Sequence, residues 1–304
     1  MAYVEGLVSV VIPTYRRAEL LNRAIDSVLN QTYSNIECIV VNDNIPNDEY
    51  SKVLYGLIQK YKSDSRFVFL EQAKHINGAE ARNCGIRNAK GEFVAFLDDD
   101  DWWKPQKIEH QVEFIRKQSE SCGGVSTLVE FYSNGKVVRW TRPYRDGKIC
   151  LQILRREVDV TTCSIMLKHK ALDDAGYFDN SLKRHQEIQL LSYFTSKYEL
   201  KLLPEHLTCV NYDSTDNRPT SEKLIDIKKQ FFHSVSPLLD SLSKSEKRSV
   251  FAVHELEIAL VEFREKKYFA AFKRGLNVIQ SLSALVMMVK LVRMRKLEYK
   301  NTGI

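Results

Sequence analysis

The sequence predicts an α/β protein: a mostly parallel sheet with helices on both faces, followed by a helical C-terminal region. Three observations predict it. Strand-like apolar runs alternate with helix-period runs over about the first 120 residues. Asn134-Gly135 then sits between two β-rich runs as a hairpin turn and breaks that rhythm. Beyond the polar stretch 211–221 the chain reads helical to its end. The boundary is placed near residue 220, which gives 1–220 as the sheet domain and 221–304 as the helical region. A length of 304 residues suits one large domain plus a smaller one.

The elements follow in order. Leu7–Ile12 is a short β-branched run of a strand buried on both faces. Leu20, Leu21, Ala24, Ile25, Val28 and Leu29 recur at helical spacing. A strand over Ile36–Val41, a helix over Glu49–Tyr61, a strand over Phe67–Leu70, a helix over Ala79–Ala89 and a strand over Phe93–Leu97 come next. Asp101 and Pro105 then open a helix that runs to about Lys117. Val125–Tyr132 and Val137–Trp140 are the arms of the hairpin, Thr161–Leu167 is a strand, and a helix lies near Glu187–Ser196. In such sheets ligands bind outside the C-terminal strand ends. That singles out the loops Pro13–Arg17, Asn42–Asn47, Gln72–Gly78 and Asp98–Trp103.

Composition narrows the class. With 44% hydrophobic and 28% charged residues the composition is ordinary for a globular protein and supports a sizeable core. The net charge of +6 is uneven: from Lys266 to the end there are nine Lys or Arg and one acid, Glu298. A basic tail of this kind points to an acidic partner surface, anionic lipid before nucleic acid. Leu276, Ile279, Leu282, Val286, Val289 and Val292 form an apolar stripe in it, interrupted by Asn277, Gln280 and Lys290. The stripe is too broken to span a bilayer and suits an interfacial helix, a helix packed on the first domain, or a contact in a homo-oligomer. No two of the six cysteines lie within four residues of each other, which argues against zinc spacing, against a disulfide framework, and for a reducing cytoplasm. The N-terminus lacks the basic and long apolar stretches of a signal peptide.

Five stretches could carry chemistry. Asp98-Asp99-Asp100-Asp101 puts four carboxylates in a row after a buried strand. They repel one another unless a cation neutralises them. Carboxylate and diphosphate oxygens both suit Mg²⁺ or Mn²⁺. The plainer reading is helix capping, with Asp101 as the cap. Pro13-Thr14-Tyr15-Arg16-Arg17 could bring a ring to a base and a guanidinium to a phosphate, and Asp43 could accept from a base N–H or a ribose hydroxyl. Arg82, in the stretch 77–83 that starts a helix, could reach a phosphate. Glu187, in the first turn of an apolar helix, could act as a general base or merely complement the helix dipole. The basic tail is the fifth. Neither GxGxxG nor GxxxxGK[ST] is present, which counts against dinucleotide and P-loop sites.

Taken together, SVVIPTYRRAELLNRAIDSVLNQTYSNIECIVVND, NGAEARNCGIRNAKGEFVAFLDDDDWW and GYFDNSLKRHQE resemble, in order and spacing, the inverting family 2 glycosyltransferases. The resemblance runs over about residues 6–212 and does not cover the last ~90 residues with any specificity. It implies the GT-A fold. It implies that Pro13, Thr14, Tyr15 and Arg17 contact the nucleotide base, that Asp43 bonds uracil, and that Arg82 stands beside the nucleotide. Asp98 and Asp100 match the DxD motif: Asp100 as metal ligand, Asp98 and Asp99 toward ribose and diphosphate. Glu187 matches the base. Asn42 and Gln189 depart from the acids common at their positions.

The implied reaction is inverting, metal-dependent transfer of a hexosyl group from a UDP-sugar, with Mn²⁺ or Mg²⁺. The acceptor is a hydroxyl of a glycan or lipid-linked glycan, as in bacterial surface-polysaccharide synthesis. The implied location is cytoplasmic, peripheral at the inner membrane. Rival classes are a nucleotidyltransferase, which would carry a Gly-rich basic loop after the first strand, and a non-catalytic sugar-nucleotide-binding protein, which would not need Glu187.

Overall fold

β1 (Val4–Thr14) lies at the centre of the parallel half of the sheet in the computed structural model, which describes residues 3–213, 219–279 and 285–286. Its residues 8–12 are fully buried. Side chains alternate across a strand, so Val8, Val10 and Ile12 face one core and Val11 the other. α1 (Ala18–Leu29) covers the first core with Leu21, Ala24, Ile25 and Val28, the stripe that the helical period predicts. Burying an aliphatic side chain of this size contributes roughly 1.5–3 kcal/mol, and double-sided burial explains why the strand reads as a continuous apolar run.

β2 (Ile36–Asn42), α2 (Glu49–Ile58), β3 (Phe67–Glu71), α3 (Gly78–Asn88) and β4 (Gly91–Phe96) continue the alternation. A 3₁₀ turn at Gln59–Tyr61 completes what the sequence reads as one helix. The order β3-β2-β1-β4 is parallel throughout, with Val10 opposite both Cys38 and Ala95. The carboxyl ends of β1, β2 and β4 therefore deliver Thr14, Asp43 and Asp98 to one edge.

The expected helix opening at Asp101 is corrected. A two-residue strand, β5 (Trp102–Trp103), intervenes, and α4 (Lys107–Arg116) starts beyond Pro105 with Gln106 at its N-cap. Asp101 caps nothing. Its carboxylate accepts from the Cys163 thiol at 2.8 Å and from the Asn211 N–H at 2.9 Å.

β6 (Cys122–Ser133) and β7 (Lys136–Trp140) form the predicted hairpin, with Asn134 and Gly135 at φ 49° and 73°. α5 (Cys150–Leu154), β8 (Ile165–Lys168), α6 (His169–Ala175), α7 (Gln186–Lys197) and β9 (Glu199–Asn211) follow. β8 runs antiparallel between β4 and β6, β9 is parallel to β6, and β5 pairs with β9. The sheet is thus parallel from β3 to β4 and between β6 and β9, and reversed at β8, β5 and β7.

α8 (Ser221–Ser234), α9 (Ser236–Asp240), α10 (Lys244–Arg264) and α11 (Tyr268–Ile279) make up the described helical region. Phe231, Val235, Leu239 and Val250 share the second core with Leu190 and Phe194 of α7. α11 packs on α10 through Val278, against Ala252, Val253 and Leu256. Of the apolar stripe, Leu276 and Val286 are exposed, Ile279 ends α11, and Leu282, Val289 and Val292 lie outside the described residues. No described helix is long and apolar enough to cross a membrane.

Candidate active site

The first loop is held in a single shape. Arg16 takes the left-handed conformation, φ 58°, and its N–H donates to Asn44 Oδ1 at 2.8 Å. A non-glycine residue there costs of order 1–2 kcal/mol and persists only under tertiary support. Tyr15 stacks on His75 with ring centroids 4.0 Å apart, and the Arg16 guanidinium lies 4.9 Å from the same ring. Asp43 is buried; its Oδ1 accepts from Gln72 Nε2 at 2.9 Å and from the Ile76 N–H at 3.2 Å, and its Oδ2 lies 3.0 Å from His75 Nδ1. Burial raises the Asp43 carboxyl against the opposing pull of the Ile76 N–H and His75. A fixed acceptor beside stacked rings suits the N–H of a planar base. Asn42, where an acid is common, spans the loop instead: Nδ2 reaches Ser51 Oγ at 3.1 Å and Oδ1 accepts from the Asn44 N–H at 3.0 Å.

The four aspartates divide by partner. Asp98 accepts from Arg82 at 2.5 Å. Burial alone would raise its carboxyl, but Arg82 holds it below the usual value. Asp99 and Asp100 share Arg17, at 3.0 and 2.5 Å. Burial pushes Asp99 up to about 7 despite Arg17, and raises Asp100 as well. Asp101 is raised well above the usual value by burial and then by Asp98. Arg23 braces the run from α1, donating to the Asp100 carbonyl at 2.6 Å while lying 3.8 Å over the Trp102 ring.

These residues bear on a metal in two ways. Asp98, Asp101 and Cys163 bring ligand atoms within 4.8 Å of one another. Burial, and then Asp101, pushes the Cys163 thiol well up, so it stays protonated and donates to Asp101 rather than offering a thiolate. The carboxylates of Asp98, Asp99 and Asp100 are the hard donors, and both oxygens of Asp99 are buried without a well-aligned hydrogen-bond donor. A carboxylate set of this kind fits Mg²⁺ or Mn²⁺. Arg17, with its side chain 46% exposed, occupies Asp100.

Arg82 projects from α3 because that helix lies hard against β1. A Cβ on Gly85 would stand 2.3 Å from Val11 Cγ1. Asn77 caps α3, accepting from the Glu80 N–H at 3.1 Å. Glu187 is half-buried in the first turn of α7, and its charge acts on Arg82 and Arg156. Gln189, where a second acid is common, accepts from the Asp179 N–H at 2.9 Å and fixes the loop leading into α7.

The strand ends and α7 thus bring Thr14, Tyr15, Arg17, Asp43, Arg82, the aspartate run and Glu187 to one side of the sheet. Pro13 is the penultimate residue of β1, in register with Val41. Sequence reasoning missed Gln72 and His75, although both lie in a loop it singled out. It also missed Cys163, Asn211, Arg156, Lys228 and Glu257, whose roles depend on contacts between elements distant in sequence and leave no local signal.

Residues 9–176 match the family model of glycosyl transferase family 2. An uncharacterized glycosyltransferase of Rickettsia felis is 33% identical over 195 residues, 60% of this chain and 30% of the relative. The Escherichia coli protein WfaP, named as a UDP-Glc:alpha-D-GlcNAc-diphosphoundecaprenol beta-1,3-glucosyltransferase, is 37% identical over 112 residues, 37% of this chain and 42% of the relative. The chain therefore spans less than half the length of these two curated relatives. In fold it is similar to S. aureus TarS 1-349 in complex with UDP-GlcNAc, with TM-score 0.63 at 17% identity, covering 84% of this chain and 72% of that one. It is also similar to the mannosyltransferase PcManGT from Pyrobaculum calidifontis in complex with GDP-Man and Mn²⁺, with TM-score 0.59 at 16% identity, covering 94% and 79%. The α/β architecture is GT-A-like. With the family match spanning more than half of its residues, this chain belongs to glycosyl transferase family 2.

Proposed function

We propose that this protein is an inverting glycosyltransferase that moves a hexosyl group from a UDP-sugar to a hydroxyl of a glycan or lipid-linked glycan. The observation that carries the reading is the gathering of Asp43, Arg82, the aspartate run and Glu187 at one sheet edge. Asp43 accepts from the base N–H, with Tyr15 and Thr14 beside it. Arg17 and Arg82 meet the diphosphate. Asp100, with Asp98 and Asp99, would hold a divalent cation, which when bound would supply positive charge to the departing diphosphate. Glu187 takes the proton of the acceptor hydroxyl as that oxygen attacks the anomeric carbon from the face opposite the diphosphate. The UDP-GlcNAc and GDP-Man complexes of the structural neighbours, and the lipid-linked acceptor in the name of the E. coli relative, support the donor and acceptor classes.

A general base contributes about 10²–10⁴-fold. Glu187→Gln keeps the shape of the side chain and removes the base, so it lowers transfer by at least about 10²-fold and leaves UDP affinity as in the wild type. Wild-type turnover in that variant removes Glu187 from the mechanism.

For the membrane side we propose contact through α11. Tyr268, Phe269, Phe272 and Leu276 are exposed on one face of this helix, with Phe263 against Tyr268 and Lys266 and Lys273 nearby. Aromatic side chains flanked by lysines suit an anionic lipid surface.

A further inference from the structure

The helical region meets the sheet domain through a buried charged joint. Lys228 of α8 is buried; its Nζ donates to His254 Nδ1 at 2.8 Å and pairs with Glu257, both on α10. Arg156, just past α5, gives Nε to the same Glu257 at 3.3 Å. The tautomer of His254 is set by its partners. Nε2–H donates to the Leu154 carbonyl at 2.9 Å, which leaves the Nδ1 lone pair for Lys228. Burial, and then Lys228, keeps that ring neutral, with its pKa down at about 3. His185, the N-cap of α7, packs edge-on against Phe231 of α8 and His254 of α10, with centroids 5.5 and 6.3 Å away. It sits in the left-handed region at φ 65°, and Glu187 follows two residues later.

The charges do not cancel within the joint. Arg156 and Lys228 bring two positive charges and Glu257 one negative, both histidines are neutral, and Asp159, which also acts on Arg156, is paired with Arg139. Glu187 acts electrostatically on Arg156 and Lys228, and on Arg82 from α3. Arg82 is tied to Asp98, and Arg156 and Lys228 are tied to Glu257. We propose that Glu257 is a positioning residue for Glu187: by binding Arg156 and Lys228 it keeps both cations from capturing the base. The proposal rests on Glu187 being that base. It makes the C-terminal helices part of the catalytic unit, although the sequence match to the family ends before them.

The test uses the full-length protein and the rate of UDP release from UDP-glucose, UDP-galactose or UDP-GlcNAc, whichever the wild type hydrolyses fastest, across pH. Glu257→Gln frees two cations beside Glu187. It lowers kcat at least about tenfold and moves the acid limb of the kcat profile to lower pH, because nearby positive charge favours the ionised carboxylate. Lys228→Met removes one cation and moves that limb to higher pH. The double variant removes one charge of each sign, which buried pairs often tolerate, and returns the limb to the wild-type position. UDP affinity stays within about twofold in all three. A merely structural joint would lower kcat in step with Tm and leave the limb fixed, and that result overturns the proposal. An inactive Glu187→Gln beside a normal Glu257→Gln sinks this inference alone, whereas an active Glu187→Gln sinks the base assignment and this inference with it.

Discussion

Asp100 shows how one residue can carry both a structural and a chemical load. It pairs with the half-exposed Arg17 at 2.5 Å. Pairs with one solvated partner contribute at most about 1 kcal/mol, so the fold does not depend on this contact. The carboxylate matters more for what else it can hold. Asp100→Asn keeps the size and loses the hard anionic oxygen. Its Tm should stay close to the wild type, while any gain in UDP affinity on adding Mn²⁺ to the wild type, read by calorimetry, should vanish. An unchanged cation-dependent gain would move the metal away from Asp100. Asp101 teaches the opposite lesson. Read locally it looks like a helix cap, yet its carboxylate accepts from Cys163 and Asn211, partners far along the chain.

At the scale of elements, the contact between α3 and β1 sets where Arg82 points. Gly85→Ala brings a methyl group to 2.3 Å from Val11 Cγ1, and Val11 is fully buried and β-branched, so it has nowhere to turn. Ala would gain about 1 kcal/mol in helix propensity, whereas forcing α3 off the sheet costs about 1–3 kcal/mol or more. The clash should win: the variant should melt several degrees lower and bind UDP more weakly as Arg82 shifts. A melting temperature at or above wild type would refute the tight packing. The elements legible in the sequence were those with a strong local period: β1, α1, β2, α3, β4 and the hairpin of β6 and β7. The boundary error at α4 arose because Pro105 was read inside the helix, while Trp102–Trp103 pairs with β9. β9 itself was missed because Pro204 interrupts it and its pairing with β6 carries several register shifts. The donor-side residues were legible because strand ends concentrate them in short motifs. The charged joint of Arg156, His185, Lys228, His254 and Glu257 was not, because its members come from four distant segments.

For the whole molecule, the question is how a sheet domain and a helical region act together. The polar stretch 211–221 suggests a separation in sequence, but Phe231, Val235 and Val250 share a core with α7. The outer face of α11 has no such cover among the described residues: Phe269 is 83% and Phe272 66% exposed. Moving one Phe from water into lipid contributes about 1.5–3 kcal/mol. Phe269→Ser with Phe272→Ser should therefore cut flotation with anionic vesicles by about 10²-fold, without changing UDP release in solution. Flotation equal to wild type would remove α11 from the membrane contact. The central claim, single displacement driven by Glu187, is tested most directly by proton NMR of the first sugar released from an α-linked UDP-sugar. The account predicts the β anomer as the initial product of the wild type and no product from Glu187→Gln on the same timescale. An initial α anomer, or product from Glu187→Gln at the wild-type rate, would contradict it.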